Sequence, residues 1–463
     1  MKNLLPIRLL LLAAVVFSAL PVRADISLEP LTTILSAPGS AGLGFVTRIG
    51  ASPYQGGSNR YDVLPLYLYE GERFFLHANR GGVKLLEGDA QRLDVFVEKR
   101  LEGFAADRLP AALAGMAARE SGFDVGLSWR YRQPWGVVQA EFLHDADGYS
   151  RGSEARLVYT YDWRSGPWLL RPSASLALRN ARLNNYYFGV QAGEARPGRP
   201  AYSPGAGVNT AVGLYGSYDL TQRWRLLAGV SATLQDSKIK DSPIVQKRVL
   251  PAAYVGVAYD FGAPQQAWTR DDSPTYLKLL YGRATDDGCH IIKILTARCL
   301  STARVNSTSI AAIQVGKPFA RNVNGWPLDI VGYAGLTRHD ERGLQANGVQ
   351  LDLFMKAFYS GFPWSERVKT RIGLGAGVSL AQRVPYIEAS SQATSGKPSS
   401  RLLQYLDPTL DLSLGDLIGS RALKATFIGV GVSHRSGIFG DSRLLGNVSG
   451  GSNYIYTYLE TAL

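Results

Sequence analysis

WRLLAGVSATL, residues 224–234, alternates in character from one residue to the next. Leu226, Ala228, Val230, Ala232 and Leu234 share one face and are all apolar, while Arg225, Gly229, Ser231 and Thr233 share the other. A period of two with unlike faces is the signature of a β-strand. A run of about ten residues is what a tilted strand needs to cross a bilayer. The stretch therefore predicts a membrane-crossing strand whose apolar face meets lipid.

Its neighbours follow the same scheme. AVGLYGSYDL (211–220) reads as the partner strand, with LTQRW (220–224) as a short turn. AAYVGVAYDF (252–261) repeats the alternation, with Val255, Val257, Tyr259 and Phe261 on one face. The strand closes on an aromatic residue with a tyrosine two before it, an ending suited to the last strand of a barrel unit. GAPQQAWTRDDSP (262–274) then breaks the pattern with two prolines and no alternation, and reads as a linker. Eight further strand candidates follow: TYLKLLYGRA, TSIAAIQVG, LDIVGYAGLT, VQLDLFMKAFYS, VKTRIGLGAGVSLA, LDPTLDLSLGDL, ALKATFIGVGVSH and SNYIYTYLE. Eight strands suffice for a small closed barrel filled by its own side chains.

The expected architecture is all-β: two transmembrane antiparallel β-barrels in tandem, the first of about ten to twelve strands and the second of about eight. The expected boundaries are a signal peptide over 1–24, a first barrel over 25–262, a linker over 263–273 and a second barrel over 274–463. One large barrel from all the strands is the competing architecture, against which Phe261 and the linker both speak. The last residues, LETAL, carry no terminal aromatic.

The N-terminus supports export. MKNLLPIR carries Lys2 and Arg8, LLLLAAVVFSAL is a short apolar core, and VRA suits cleavage after Ala24. Beyond it no apolar run reaches the roughly 18 to 20 residues of a membrane helix, which leaves a barrel as the way to span a membrane. With 50 Gly, 24 Tyr and 8 Trp the chain is rich in barrel residues, and its mean hydropathy of -0.06 is what one wet face and one lipid face average to. The formal net charge of +12 points to anionic lipid headgroups or lipopolysaccharide phosphates as partners rather than to nucleic acid.

Cys289 and Cys299 are the two cysteines, and an oxidising compartment makes them a disulfide. With His290 beside them they supply two sulfurs and one imidazole, short of a structural tetrahedral metal set. His77, His144, His290 and His339 are isolated in sequence, so no metal or other cofactor is expected. DADGYSRG (145–152) lacks the terminal acid of a calcium loop and reads as a turn. HIIKILTARC (290–299) has both helical and strand character, and EASSQATSGKPSSR (388–401) reads as a long polar extracellular loop. Tyr454, Tyr456 and Tyr458 share one face of the last strand and read as structural, membrane-facing aromatics.

GVGVSHRSGIFG (429–440) ends a strand pattern with His434 and Ser436 two positions apart. Positions i and i+2 of a strand share a face about 7 Å apart, so the imidazole is placed to serve as base for a hydroxyl that is a poor nucleophile alone. A third group must hold the imidazole in the right tautomer. If 427–436 pairs with 451–460 so that Ser436 faces Gly451, Asn453 falls opposite His434 and takes that place. The plain alternative is that His434, Arg435 and Ser436 are polar residues where a strand leaves the membrane.

Residues 25–262 resemble the MipA/OmpV family of outer-membrane proteins. The likeness is carried by GLGF at 42, SPYQGGSNRYDVLPL at 52–66, YYFGV at 186–190, YDLTQRWRL at 218–226, DSPIV at 241–245 and the closing YVGVAYDF. It implies an outer-membrane barrel that either scaffolds peptidoglycan-remodelling enzymes or passes small solutes as a porin does. The end of the chain, SHRSGIFG with GGSNYIYTYLE after it, resembles PagL-type lipid A 3-O-deacylases, small outer-membrane barrels with a His-x-Ser strand and an acid on the next strand. That resemblance implies a serine esterase acting on lipid A through His434 and Ser436. The chain departs from the pattern where the acid is expected, near Ser452 or Asn453. Glu460 is seven residues farther, more than about 20 Å along a strand, and Asp441 and Glu388 are the substitutes at hand. Both functions fit in one chain, one per barrel.

Overall fold

A computed structural model describes residues 41–463 except Ser58, 105–108, 262–273, 287–288, 303–306, 395–398, 438–447 and 449–450. The signal-peptide segment 1–24 and the linker 263–273 lie outside the described residues, as does Asp441.

Two closed antiparallel barrels follow one another along the chain. The strands of the first are β1 (Ala41–Gly50), β2 (Arg60–Glu70), β3 (Phe74–His77), β4 (Arg80–Glu87), β5 (Gln91–Lys99), β6 (Phe123–Gln133), β7 (Gly136–Asp145), β8 (Ser153–Thr160), β9 (Trp163–Ser165), β10 (Trp168–Arg179), β11 (Gly207–Asp219), β12 (Trp224–Leu234) and β13 (Val249–Asp260). Each pairs with its sequence neighbour except around β9, which pairs only with the start of β10 while β8 pairs with the rest of it. Pairing of β13 with β1, Phe45 opposite Val257, closes a ring of twelve staves.

The stretch at 224–234 is β12, and its two faces part as the alternation requires. Trp224, Leu226 and Leu234 point out and are exposed, whereas Leu227, Ser231 and Thr233 point in and are buried. Val255 on β13 is likewise exposed and Tyr254 buried. Exposed apolar residues in unbroken alternation are costly in water and favourable against lipid, which places this wall in a membrane.

Ion pairs cross the interior of the first barrel. Arg80 meets Glu98 at 2.5 Å and Glu141 at 2.6 Å. Arg156 meets Glu154 at 2.5 Å and Glu98 at 3.1 Å, and Arg100 meets Asp124 and Glu154, each at 2.8 Å. All but the partly buried Arg156 are buried, and each has a counter-charge, as a low-dielectric interior demands. Tyr215, Leu227 and Tyr254 are buried on β11 to β13. A cavity of about 140 Å³ remains, bounded by Arg100, Arg156, Arg179, Ser173 and Asn209 among others. The long loops at one end pack on one another through Tyr54, Phe104, Leu113, Leu183, Phe188 and Ile244.

The second barrel comprises β14 (Tyr276–Ala284), β15 (Ser309–Ala320), β16 (Leu328–Asp340), β17 (Gly348–Tyr359), β18 (Thr370–Ala381), β19 (Leu402–Ser413), β20 (Thr426–Ser436) and β21 (Gly451–Ala462), one for each of the eight expected strands. Pairing of β14 with β21 closes it. One large barrel is excluded, because each ring closes on itself.

Two expectations need correction here. Tyr454, Tyr456 and Tyr458 face the lumen and are buried. Their ring faces fill the barrel, and their hydroxyls reach charges inside it: Tyr456 donates to Asp407 and Tyr458 to Asp411. Lys278 and Lys356 complete the Asp407 cluster at 3.3 and 2.7 Å, while Arg371 joins Asp411 at 2.8 Å to Glu460 at 2.7 Å. Alternation alone gives two faces without saying which is inward, and here the tyrosines are needed as polar-tipped filling. Second, the polar stretch from 388 begins inside a helix, Tyr386–Thr394, whose Glu388 and Gln392 are buried. The stretch 290–299, which the sequence leaves open between helix and strand, carries a short helix, Ile291–Leu295. Glycine makes room for the tyrosines, since a Cβ on Gly431 would stand 2.5 Å from the Tyr456 ring.

Candidate functional site

β20 carries two different surfaces at its loop end. Ser433 and Arg435 point into the barrel and are buried, while His434 and Ser436 point out. Lower on that outer face Ile428 and Val430 are exposed apolar residues, so His434 and Ser436 stand at the rim of the lipid-facing wall. The β20–β21 register sets His434 opposite Asn453 and Ser436 opposite Gly451, the pairing on which the sequence argument depended. The imidazole Nδ1 lies 2.6 Å from Asn453 Oδ1. Among the described residues no hydrogen bond joins the imidazole to Ser436. The structure thus joins His434 to Asn453 and places Ser436 two residues along the same face.

None of the acids weighed from the sequence and described here reaches that face. Glu460 points inward to Arg371 at 2.7 Å and accepts from the Tyr333 hydroxyl at 2.7 Å. Glu388 is also interior, accepting from Arg435 Nε at 3.2 Å and from Ser452 Oγ at 3.4 Å. Burial holds the Glu388 carboxyl above the usual range, with the Arg435 guanidinium pulling it down. Arg435 itself is satisfied by Ser379 Oγ at 2.6 Å, Gln350 Oε1 at 3.3 Å and the Arg401 carbonyl at 3.2 Å. These groups tie the helix Tyr386–Thr394 to the inner wall, and Asn453 is the polar partner of His434 on the outer face.

Sequence reasoning missed the loop that covers the pair. Cys289 and Cys299 are bonded, their Cα atoms 5.6 Å apart, and Cys289 packs with Ile294 on Val432, the outward residue before His434. The Cys289 carbonyl accepts from Asn453 Nδ2 at 3.2 Å. Only the strand alternation carried a signal for this contact, and it says nothing about what lies above a strand. His77, His144 and His339 sit apart, His77 on Glu70 at 2.7 Å, His144 on Ser153 at 2.9 Å and His339 on Gln350 at 2.9 Å, whereas His290, next to Cys289, lies near enough to His434 for the two rings to interact electrostatically. At 145–152 the Asp145 carboxylate caps its own turn, accepting from the backbone N–H of Asp147, Gly148, Ser150 and Arg151.

The family model described as MltA-interacting protein MipA matches residues 43–261, the span of the first barrel. The MltA-interacting protein of Escherichia coli (strain K12) is 24% identical over 230 residues, covering 49% of this chain and 93% of that one. Outer membrane protein OmpV of Vibrio cholerae is 29% identical over 206 residues, or 43% of this chain and 79% of its own. Outer membrane protein Omp26La of Vibrio anguillarum matches to the same extent, 29% over 206 residues. These likenesses cover the first barrel, and with the lipid-facing walls they make the chain an outer-membrane β-barrel protein.

Proposed function

We infer, from an N-terminal barrel that belongs to the MipA/OmpV family of outer-membrane proteins, that the chain is a membrane-anchored scaffold for an envelope enzyme that remodels peptidoglycan. The observation that carries the reading is the set of ion pairs that crosses the interior of the first barrel. Buried ion pairs such as Arg80 with Glu98 and Arg100 with Glu154 stand in the lumen a solute would have to cross, which favours docking over porin-like passage. A relative whose name says that it interacts with MltA supports the same choice. The test is a photo-crosslinking amino acid placed in turn in the short β11–β12 connection, at Thr221 or Gln222, and in the long loops at the other end. The expected product is a crosslink to a peptidoglycan-remodelling enzyme from one end only. Absence of any such enzyme from the crosslinks at both ends sinks the reading.

The second barrel supports a second activity, carried by the outward His434–Asn453 pair. Ser436 Oγ attacks the carbonyl carbon of an acyl ester, His434 Nε2 takes the hydroxyl proton, and Asn453 holds the proton on Nδ1. The tetrahedral species collapses with loss of the alcohol, which takes the proton from His434, and water releases the acyl group from Ser436 by the same two transfers. Hydrogen bonds between nucleophile and base are often long without substrate, consistent with the open Ser436. A site facing lipid at the rim of the membrane fits an ester inside a lipid, and lipid A is the acylated lipid that the resemblance at 433–460 suggests. Lipid A mass spectra from cells expressing the wild type, Ser436→Ala and His434→Ala decide it. The expected result is an acyl chain lost with the wild type and retained with both variants, and three identical spectra would falsify the hydrolase reading.

A further inference from the structure

The His434–Asn453 hydrogen bond depends on which way the Asn453 amide is turned. A carboxylate offers an oxygen in either orientation, but a carboxamide offers oxygen on one side and N–H on the other. Rotated by half a turn, Asn453 would set a donor against the donor on His434. The partner that selects the working orientation is the Cys289 carbonyl, which accepts from Asn453 Nδ2 at 3.2 Å. That carbonyl lies in a loop, not in a strand, and three contacts fix it. Cys289 N–H donates to the Asp286 carbonyl at 3.1 Å, Cys289 is bonded to Cys299, and Cys289 and Ile294 are buried against Val432. The loop is also tied to the strand directly, since Thr285 N–H donates to the Asn453 carbonyl at 3.1 Å.

We propose that the disulfide-closed loop between Cys289 and Cys299 is a positioning element of the hydrolytic site. Its Cys289 carbonyl turns Asn453 Oδ1 toward His434, so that the imidazole carries its proton on Nδ1 and keeps Nε2 open toward Ser436. The inference rests on the hydrolase reading of the second barrel and deepens it. It also accounts for an asparagine in a place where a carboxylate would hold the imidazole alone: an acid at 453 would set its negative charge against the lone pairs of the Cys289 carbonyl.

The test uses the full chain purified in detergent, with a chromogenic medium-chain acyl ester as probe and heat-modifiable gel mobility to confirm that the barrels are intact. C289S/C299S is expected to lose about tenfold or more in kcat with KM little changed, as when a base is held in the wrong tautomer. Adding N453D to that background is expected to recover most of the loss, because a carboxylate needs no partner to orient it. A disulfide that only stiffened the fold would not be replaced by one acid on β21. Side-chain nitrogen NMR of His434 reads the same event without turnover. It should report the Nδ1-protonated tautomer in the wild type, a mixture in C289S/C299S, and the first form again with N453D. Unchanged rate and tautomer in C289S/C299S overturn the proposal, and so does a loss that N453D fails to recover. A wild type that hydrolyses nothing, yet shows the disulfide-dependent tautomer, sinks the reaction and upholds the positioning.

Discussion

His434 and Asn453, 19 positions apart in the chain, meet across two paired strands with Nδ1 2.6 Å from Oδ1. Both side chains point away from the lumen, whereas Arg435 between His434 and Ser436 points into it. Adjacent residues of β20 therefore serve opposite sides of one wall, and their substitutions have separable effects.

Asn453→Ala removes the acceptor that holds the imidazole while leaving barrel and serine in place. Its expected effect is a fall in kcat of roughly 10²- to 10⁴-fold on an acyl ester, with KM little changed, because Asn453 touches the base and not the substrate. Initial rates over a range of ester concentrations measure both constants. Wild-type kinetics in this variant would remove Asn453 from the site.

Arg435→Met acts on the inner side. It leaves Glu388, fully buried, without its cation, and breaking such a pair costs about 3 to 5 kcal/mol. Burial already holds the Glu388 carboxyl up, and loss of the guanidinium raises it further. A carboxyl with a raised folded pKa binds its proton more tightly in the folded state, so stability falls as pH rises from the unfolded value of about 4.3 through the raised folded one. The variant is thus expected to be more destabilised at pH 8 than at pH 5, and Glu388→Gln on the same background to remove most of that difference. Urea unfolding in lipid vesicles at the two pH values checks it. A pH-independent loss would mean that packing, not the stranded carboxylate, dominates.

The fold was legible where the alternation was. Leu226 to Leu234 gave β12, and the eight patterns after Pro274 gave the eight strands of the second ring, because period two survives any tertiary context that keeps one face wet and one in lipid. Which face is inward was not legible for Tyr454, Tyr456 and Tyr458. A tyrosine suits a membrane rim and a polar lumen equally, and Asp407 and Asp411, which decide between them, lie more than 40 residues away in sequence. The site was legible in part. The His434–Asn453 pairing followed from a register that one hairpin fixes, whereas the contact from the Cys289 carbonyl, 164 residues away, needed the closed barrel to bring the ends of β14 and β21 together.

In the first barrel Arg156 stands between three carboxylates, Glu154 at 2.5 Å, Glu98 at 3.1 Å and Glu141 at 3.6 Å. Arg156→Met keeps the bulk and removes the charge. Arg80 still serves Glu98 and Glu141, and Arg100 still serves Glu154, so the expected destabilisation is again about 3 to 5 kcal/mol rather than outright unfolding. Heat-modifiable gel mobility against temperature measures it, with the second barrel's mutants as controls. A neutral outcome would show that water reaches these carboxylates and that the interior is not closed around them.

The same ion pairs give a prediction for conductance. In the first barrel Arg80, Arg100 and Arg156 bridge β4 to β8 across buried carboxylates, and in the second Lys278, Lys356 and Tyr456 converge on Asp407. An ion crossing either barrel has to break paired charges in a low-dielectric interior, each costing several kcal/mol to strand, whereas a porin keeps its lumen wet. Voltage-clamped planar bilayers carrying the purified chain are therefore expected to show flat current. If Arg156→Met opens brief current steps that the wild type lacks, the pairs themselves are the barrier. Lasting unitary steps with the wild type would instead make the first barrel a pore and return solute passage to the front of the functional readings.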